Sequence, residues 1–383
     1  MGPHRQKIQA MADTIANSSW HNGVTMTVHD QHTGKGCSIG AGQLDSTKPY
    51  FVAGATKIYV TAIVMQLVEE GKIDLDRSFI AYLDNPRICA ELHVMDGVDY
   101  TAQITLRHML SHRSGLGDFF LFKNNARSVQ HSIAEGIDTG WTFSDVVQRT
   151  RSHGPICPPG TGRKANFTDT NFHLLGKVIE CVEDKTFAEV FDERIAQRLG
   201  LTSTYVYCDP ADRRPLNLMS KTNEISIPLS MTSFQADGGV VTTSREAMVF
   251  IRAFFEGYLF ETPKLLEQCV WRGMFYPSEF GLGMMRLNVP TWMTMPHRWR
   301  QPWKVFKKTD TVLGHMSIGG AFLFWAPKAG VYVTGTVNQM IDPARAVLFA
   351  LMSIEAAREY RAKSTTECAT PLSLRKSDTM IEG

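Results

Sequence analysis

At 383 residues, with 43% hydrophobic and 20% charged side chains, the chain holds ample apolar material for a sizeable core and is not a disordered polymer. A formal net charge of +2 gives no drive towards nucleic acid or an anionic membrane, so neither is expected as a partner. The seven cysteines are scattered, with no C-x-x-C pair, and no apolar run reaches signal-peptide or transmembrane length, so a soluble, cytoplasmic protein with reduced thiols and no zinc is expected.

Residues 5–17 carry a weak helical pattern. GVTMTVHDQHTGKGCSIGAG alternates on both sides of a His32-Thr33-Gly34 turn, which predicts a β-hairpin. In GATKIYVTAIVMQLVEEGK, Ile58, Ala62, Met65 and Val68 recur at helical spacing and Gly71 stands where a C-terminal cap belongs. A buried helix starting near Gly54 follows from this. From 75 to about 225, helix-like segments broken by Gly and Pro dominate. GGVVTTSREAMVFIRAFFEG then reads as a short extended run feeding a helix, and GGAFLFWAPKAGVYVTGTVNQ as a hairpin around Pro327 to Gly330. DPARAVLFALMSIEAAREYRAK is a helix with Asp342 as N-cap and Pro343 at its first position. The polar tail after about residue 364 is expected to fray. The basic, aromatic stretch MPHRWRQPWKVFKK, Met295 to Lys308, reads as a solvated loop or a substrate lid.

Strands therefore occupy both ends of the chain and helices its middle. The expected fold is α/β (α+β): an antiparallel sheet flanked by the terminal helices, from residues 1–75 and 226–383, with an all-helical domain of residues 76–225 inserted. A small-molecule site belongs in the cleft between the lobes. Oligomeric state is left open.

FVAGATKIYVTAIVMQLVEEGKIDLD resembles the first motif region of the penicillin-binding-protein-like serine hydrolases, the class C β-lactamase, esterase and D-aminopeptidase group. The resemblance continues through ITLRHMLSHRSGLGD, PPGTGRKANFTDTNFHLLGKVIE, RIAQRLGLTST, DGGVVTTSREAM, FGLGM and GHMSIGGAFLFWAPKAGVYVTGTVN, in the family's order along nearly the whole chain. It implies a serine β-lactamase-like fold with no metal and no cofactor.

In that family a serine opens a helix and a lysine follows three residues later, on the same face. The helix N-terminus favours a developing anion, and a desolvated lysine can take the serine's proton. Here the lysine is Lys57, and the nucleophile position is Gly54. The second motif, Tyr-x-Asn, reads Phe167-Thr168-Asp169, and a phenyl ring can neither give nor take a proton. The third motif reads His315-Met316-Ser317 followed by Ile318, with Ser317 where glycine is usual. The resemblance thus implies catalytic roles for Lys57 (base or proton carrier), Asp169 and His315 (orienting or polarising the substrate). The N–H groups of Gly54 and Ile318 would bind an oxyanion. Phe167, Met316, Ser317 and Ile318 would line the substrate wall. Together with GMFYPSEFGLGMMRL, Phe167 and Met316 point to a neutral, fairly apolar substrate. The RHMLSH helix is structural in that family, so His108 and His112 read as packing or hydrogen-bonding residues rather than ligands.

Three accounts of Gly54 follow. The cleft has been turned to non-covalent, Lys57-based proton transfer of the lyase, cyclase or isomerase type in small-molecule biosynthesis. Alternatively it is a serine esterase, amidase or acyltransferase whose nucleophile has been replaced, or a non-catalytic binding protein.

Overall fold

The computed structural model describes residues 3–121, 128–288 and 311–368. The basic segment 295–308 and the tail beyond 368 lie outside the described residues. Among the described residues, the centre of the molecule is an eight-stranded antiparallel sheet. Its strands are β1 (Gly23–Asp30), β2 (Lys35–Gly42), β3 (Arg272–Gly273), β4 (Ser278–Phe280), β5 (Met285–Asn288), β6 (Thr311–Met316), β7 (Ala321–Ala326) and β8 (Val331–Thr336). They lie in the order β3-β4-β5-β6-β7-β8-β1-β2. The two ends of the chain meet where β1 pairs with β8, Thr25 opposite Thr336 and Asp30 opposite Val331.

Both faces of this sheet are covered, which explains why its central strands are apolar at nearly every position. Side chains alternate between faces. Phe322, Phe324, Val331 and Val333 pack with Val24 and Met26 beneath α1 (Pro3–Ala16) and α5 (Pro343–Cys368), against Ile8, Ala12, Phe349 and Ala350. Leu323 and Tyr332 belong to the opposite core, shared with α2 (Thr56–Glu69), α3 (Thr170–Glu183) and α4 (Ser244–Phe255). The Arg345 N–H donates to Asp342 Oδ1 at 3.3 Å, so Asp342 caps α5 as its sequence implies. The helix continues through Cys368, past the point where a frayed tail is expected.

Helix α2 departs from the sequence reading. The Ile58, Ala62, Met65 stripe predicts one buried face, yet every residue from Thr56 to Leu67 is buried. A helix enclosed on all sides places its polar residues in the core. Thr56, Lys57, Thr61 and Gln66 must therefore find partners there. Thr61 does so by donating to its own helix at Lys57 O, 2.8 Å away, and it also lies 3.0 Å from Gly283 O. The expected extended run, Val240–Thr242, pairs with Tyr50–Phe51 and Tyr205–Val206, two short strands not expected from the sequence, in a small sheet that carries the chain into α2.

Candidate active site

The Val52 N–H donates to Val240 O at 3.0 Å and pins the start of a 3-10 turn, Ala53–Ala55, that runs directly into α2. Ala53 has φ of 45°, a left-handed conformation that costs an L-residue of order 1–3 kcal/mol. This strained backbone presents Gly54. A Cβ added to Gly54 would stand 3.7 Å from Lys57 Nζ and 3.8 Å from Ser317 Cβ, ordinary van der Waals distances. A side chain there would point at the lysine, and it would fit.

Lys57 is fully buried. Its Nζ donates to Asp169 Oδ1 at 2.5 Å and to the main-chain carbonyl of Asp237 at 2.8 Å. A buried ammonium needs such partners. Asp169 stands at the N-cap of α3 but makes no side-chain capping bond. Its carboxylate is thereby free for Lys57, with the positive end of α3 adjacent. The rings of Phe167 and Phe172 enclose the ammonium from 5.2 and 5.5 Å. Phe167 gives Lys57 a π-face where a tyrosine would give a hydroxyl.

Across the cleft, His315 is buried on β6. Its Nδ1 lies 2.7 Å from Met316 O. A carbonyl only accepts, so Nδ1 carries the proton and Nε2 is left as an acceptor, buried and without a hydrogen bond among the described residues. Burial first, then the Lys57 charge, pushes the imidazole down to about 3. The ring is neutral at physiological pH. Ser317 stands just beyond β6. Its N–H donates to Ala321 O at 2.9 Å and its hydroxyl accepts from the Ala321 N–H at 3.2 Å. It turns carbon atoms, not oxygen, towards Gly54. Its position beside the cleft is as expected, and its hydroxyl oxygen accepts a bond within the turn. The N–H of Ile318 makes no hydrogen bond among the described residues.

Gly54, Phe167, Asp169, His315, Met316, Ser317 and Ile318 line one cavity of about 120 Å³, with Lys57 beneath Gly54. All eight residues singled out from the sequence therefore converge. Phe167 and Met316 supply apolar wall as expected, but the rest of the apolar lining differs from expectation. It comes from Phe120, Leu121, Ile133, Leu218, Ile227, Met231 and Phe234. The segment 273–287 instead backs the site: the Phe275 ring packs on Phe167, and Phe280 on His112 and His315.

Four neighbours of the site were not singled out as functional. His112 lies beyond its helix (Leu106–Leu110) with φ of 51°, fully buried against Phe167, and burial and the Lys57 charge drive it well below the usual imidazole range. Asp118 accepts the Asp169 N–H at 3.1 Å, and burial beside Asp169 raises it well above the usual carboxylate range. Asp237 and His173 stand beside Lys57 and Asp169, with His173 Nδ1 3.4 Å from Asp237 Oδ2. The signal was present: Asp118 and Asp237 end and begin two of the motifs quoted above. Among the described residues, no group of three or more His, Cys, Asp or Glu is placed to hold a metal, and the six described cysteines are unpaired.

The family model described as Beta-lactamase matches residues 11–356. The chain belongs to the β-lactamase family. Among curated relatives, a penicillin-binding protein 4 of Amycolatopsis lactamdurans is 26% identical over 164 residues, 42% of this chain and 37% of that protein. The esterase EstB of Burkholderia gladioli is 29% identical over 39% of this chain and 36% of its own length. An ML-236A carboxylate methylbutanoyltransferase of Penicillium citrinum is 28% identical over 40% of this chain and 36% of its own length. The chain thus spans little more than a third of these relatives. Among solved structures, a D-amino acid amidase from Ochrobactrum anthropi SV3 superposes with a TM-score of 0.71 at 18% identity, covering 94% of this chain and 99% of that one. EstCE1, a hydrolase with promiscuous acyltransferase activity, gives 0.69 at 18% identity, covering 92% and 98%. These likenesses carry the β-lactamase fold. Among the described residues no helix is long and apolar enough to cross a membrane.

Proposed function

We propose that this β-lactamase-family chain is an enzyme for a small, fairly apolar carbonyl compound, in which the Lys57–Asp169 pair moves protons and no acyl-enzyme forms at position 54. One observation carries the reading: the point that faces Lys57 Nζ from 3.7 Å, where a nucleophile's Cβ would stand, belongs to a glycine. Carbonyl chemistry is taken from the esterase, acyltransferase and amidase names among the similar proteins. The apolar substrate is taken from the Phe, Leu, Ile and Met lining. In such a cleft the Asp169 carboxylate takes the proton from the carbon beside the carbonyl, Lys57 gives its own proton to the carbonyl oxygen to form the enol, and Asp169 returns a proton to Lys57 across their hydrogen bond, chemistry of the lyase, cyclase or isomerase type. His315 Nε2 accepts a hydrogen bond from a substrate hydroxyl or enol. The Ile318 N–H is the oxyanion donor on the sheet side. A place in small-molecule biosynthesis is in keeping with this.

A second reading, an esterase or acyltransferase silenced by loss of its serine, is favoured by the room around Gly54, since a Cβ there meets nothing closer than 3.7 Å. The two separate on intact mass after a fluorophosphonate probe, applied to the Gly54 chain and to Gly54→Ser. The first reading expects no adduct on the Gly54 chain and none on folded Gly54→Ser, because Phe167 supplies no co-base. A single adduct on Gly54→Ser, lost again with Lys57→Met, overturns it in favour of the second.

A further inference from the structure

We propose that the Asp237 carboxyl and the His173 imidazole form a second proton-holding pair behind the cleft, which balances the charge around Lys57 as Lys57 gives or takes a proton. The reaction assigned above gives the pair its use, but the pair itself rests on separate observations.

The first is an unpaid polar group. Asp237 is 2% exposed, and neither of its carboxyl oxygens has a hydrogen-bond partner among the described residues. A carboxyl kept only as a brace would make its hydrogen bonds, because each buried oxygen left without one costs roughly 1–3 kcal/mol. Such a group in a native fold calls for a redox, catalytic or charge role. The second observation is the imidazole. His173 Nδ1 faces Asp237 Oδ2 at 3.4 Å, close enough for a charge contact and one small rotation short of a good hydrogen bond. The third is position. Asp237 is a wall residue of the cavity, and its main-chain carbonyl holds Lys57 Nζ at 2.8 Å. His173 is not a wall residue, and its ring retains 8% exposure among Phe119 and Phe143. The pair thus reaches from the lysine's hydrogen-bond shell to a point outside the cavity.

Charge accounting on the helical side leads to the same place. Asp237 is faced by His173 from α3, by Asp169 at the start of α3 and by Lys57 from α2, with Asp118 behind Asp169. One lysine cannot neutralise three carboxylates, so protons must reside on some of them. Burial, with Asp169 adding to it and His173 and Lys57 opposing, raises Asp237 to about 6, where it can exchange a proton at physiological pH. When Lys57 gives its proton to the substrate, Asp237 takes one from solvent by way of the His173 imidazole, and the net charge of the buried site stays as it was. Asp237 and His173 are positioning residues in this scheme, acting through Lys57.

The test is an NMR titration of the full chain carrying carbon-labelled aspartate, with Asp237→Asn giving the assignment by difference. The Asp237 carboxyl is expected to titrate with a midpoint at about 6. Lys57→Met should raise the Asp237 midpoint, a response that a mere brace would not give. If Asp237→Asn does not fold, His173→Gln takes its place and should raise the Asp237 midpoint. An Asp237 carboxyl that titrates in the ordinary carboxylate range, or one blind to both Lys57 and His173, overturns the proposal. The titration reads no nucleophile, so its failure is separable from failure of the reading built on Gly54.

Discussion

On the sheet side of the cleft, His315 is kept neutral, the Ser317 hydroxyl oxygen accepts a bond within a turn, and Met316 and Ile318 add apolar wall. On the helical side, Lys57 sits among Asp169, Asp237 and Asp118, with His173 within reach. One wall can accept a hydrogen bond and offer an N–H but holds no mobile charge. The other is an interlocked group of charges and protons. The Lys57–Asp169 pair, which the proposed proton chemistry needs, stands on the helical wall whatever residue occupies position 54.

The comparison breaks most readily at Lys57. Lys57→Met leaves Asp169 buried without its cation and should cost roughly 3–5 kcal/mol in denaturant unfolding, besides abolishing turnover. Lys57→Met with Asp169→Leu, which removes both charges, should recover most of that loss, and failure to recover would mean that the pair is not the principal link. On the sheet side the effect is one of pH. His315 lies near 3 when folded and near 6.5 when unfolded, so between these values the unfolded chain binds a proton that the folded one does not. Stability is complete above about 6.5 and should fall on acidification towards about 3, by about 1.4 kcal/mol per pH unit for each such histidine. His112 adds a second contribution of the same sign. His315→Asn should flatten the slope, measured as unfolding free energy against pH.

Phe167 sharpens the contrast at the level of rate. If Gly54→Ser takes any probe, adding Phe167→Tyr should raise its labelling rate by about a hundredfold, the scale of one general base. No change would place the limitation elsewhere, with His315 the next suspect. The smallest effect is expected from Ser317→Ala. It should cost about 1 kcal/mol for one turn hydrogen bond and leave the titrations of the helical wall unmoved.

What the sequence discloses follows the range of the interaction. The helix start at Gly54 is legible as a local pattern, and the roles of Gly54 and Lys57 are what the family resemblance implies for it. The β7–β8 hairpin is legible because apolar strands bounded by Pro327 and Gly330 announce themselves. Asp237 opens a quoted motif, but its role is not legible, since its approach to Lys57 spans 180 residues of chain. The lining residues Phe120, Ile133, Leu218 and Met231 come from separate segments that share no period. Tyr50–Phe51 and Tyr205–Val206 escape notice because strands of two residues are too short to alternate. Helix α2 misleads for the opposite reason: its apolar stripe is real, but the rest of its surface is buried as well.

The pairing of β1 with β8 also sets a timetable. Thr25 leaves the ribosome long before its partner Thr336 exists. At about 10 residues per second, the nascent chain waits about half a minute before its central strands can join. Throughout that interval one edge of β1 lacks its neighbour, and α2, which ends enclosed on every side, has only part of its enclosure. Lys57 is made early and His315 late, so the cleft is among the last features of this protein to come into being, and its newborn chain is a natural client for chaperones.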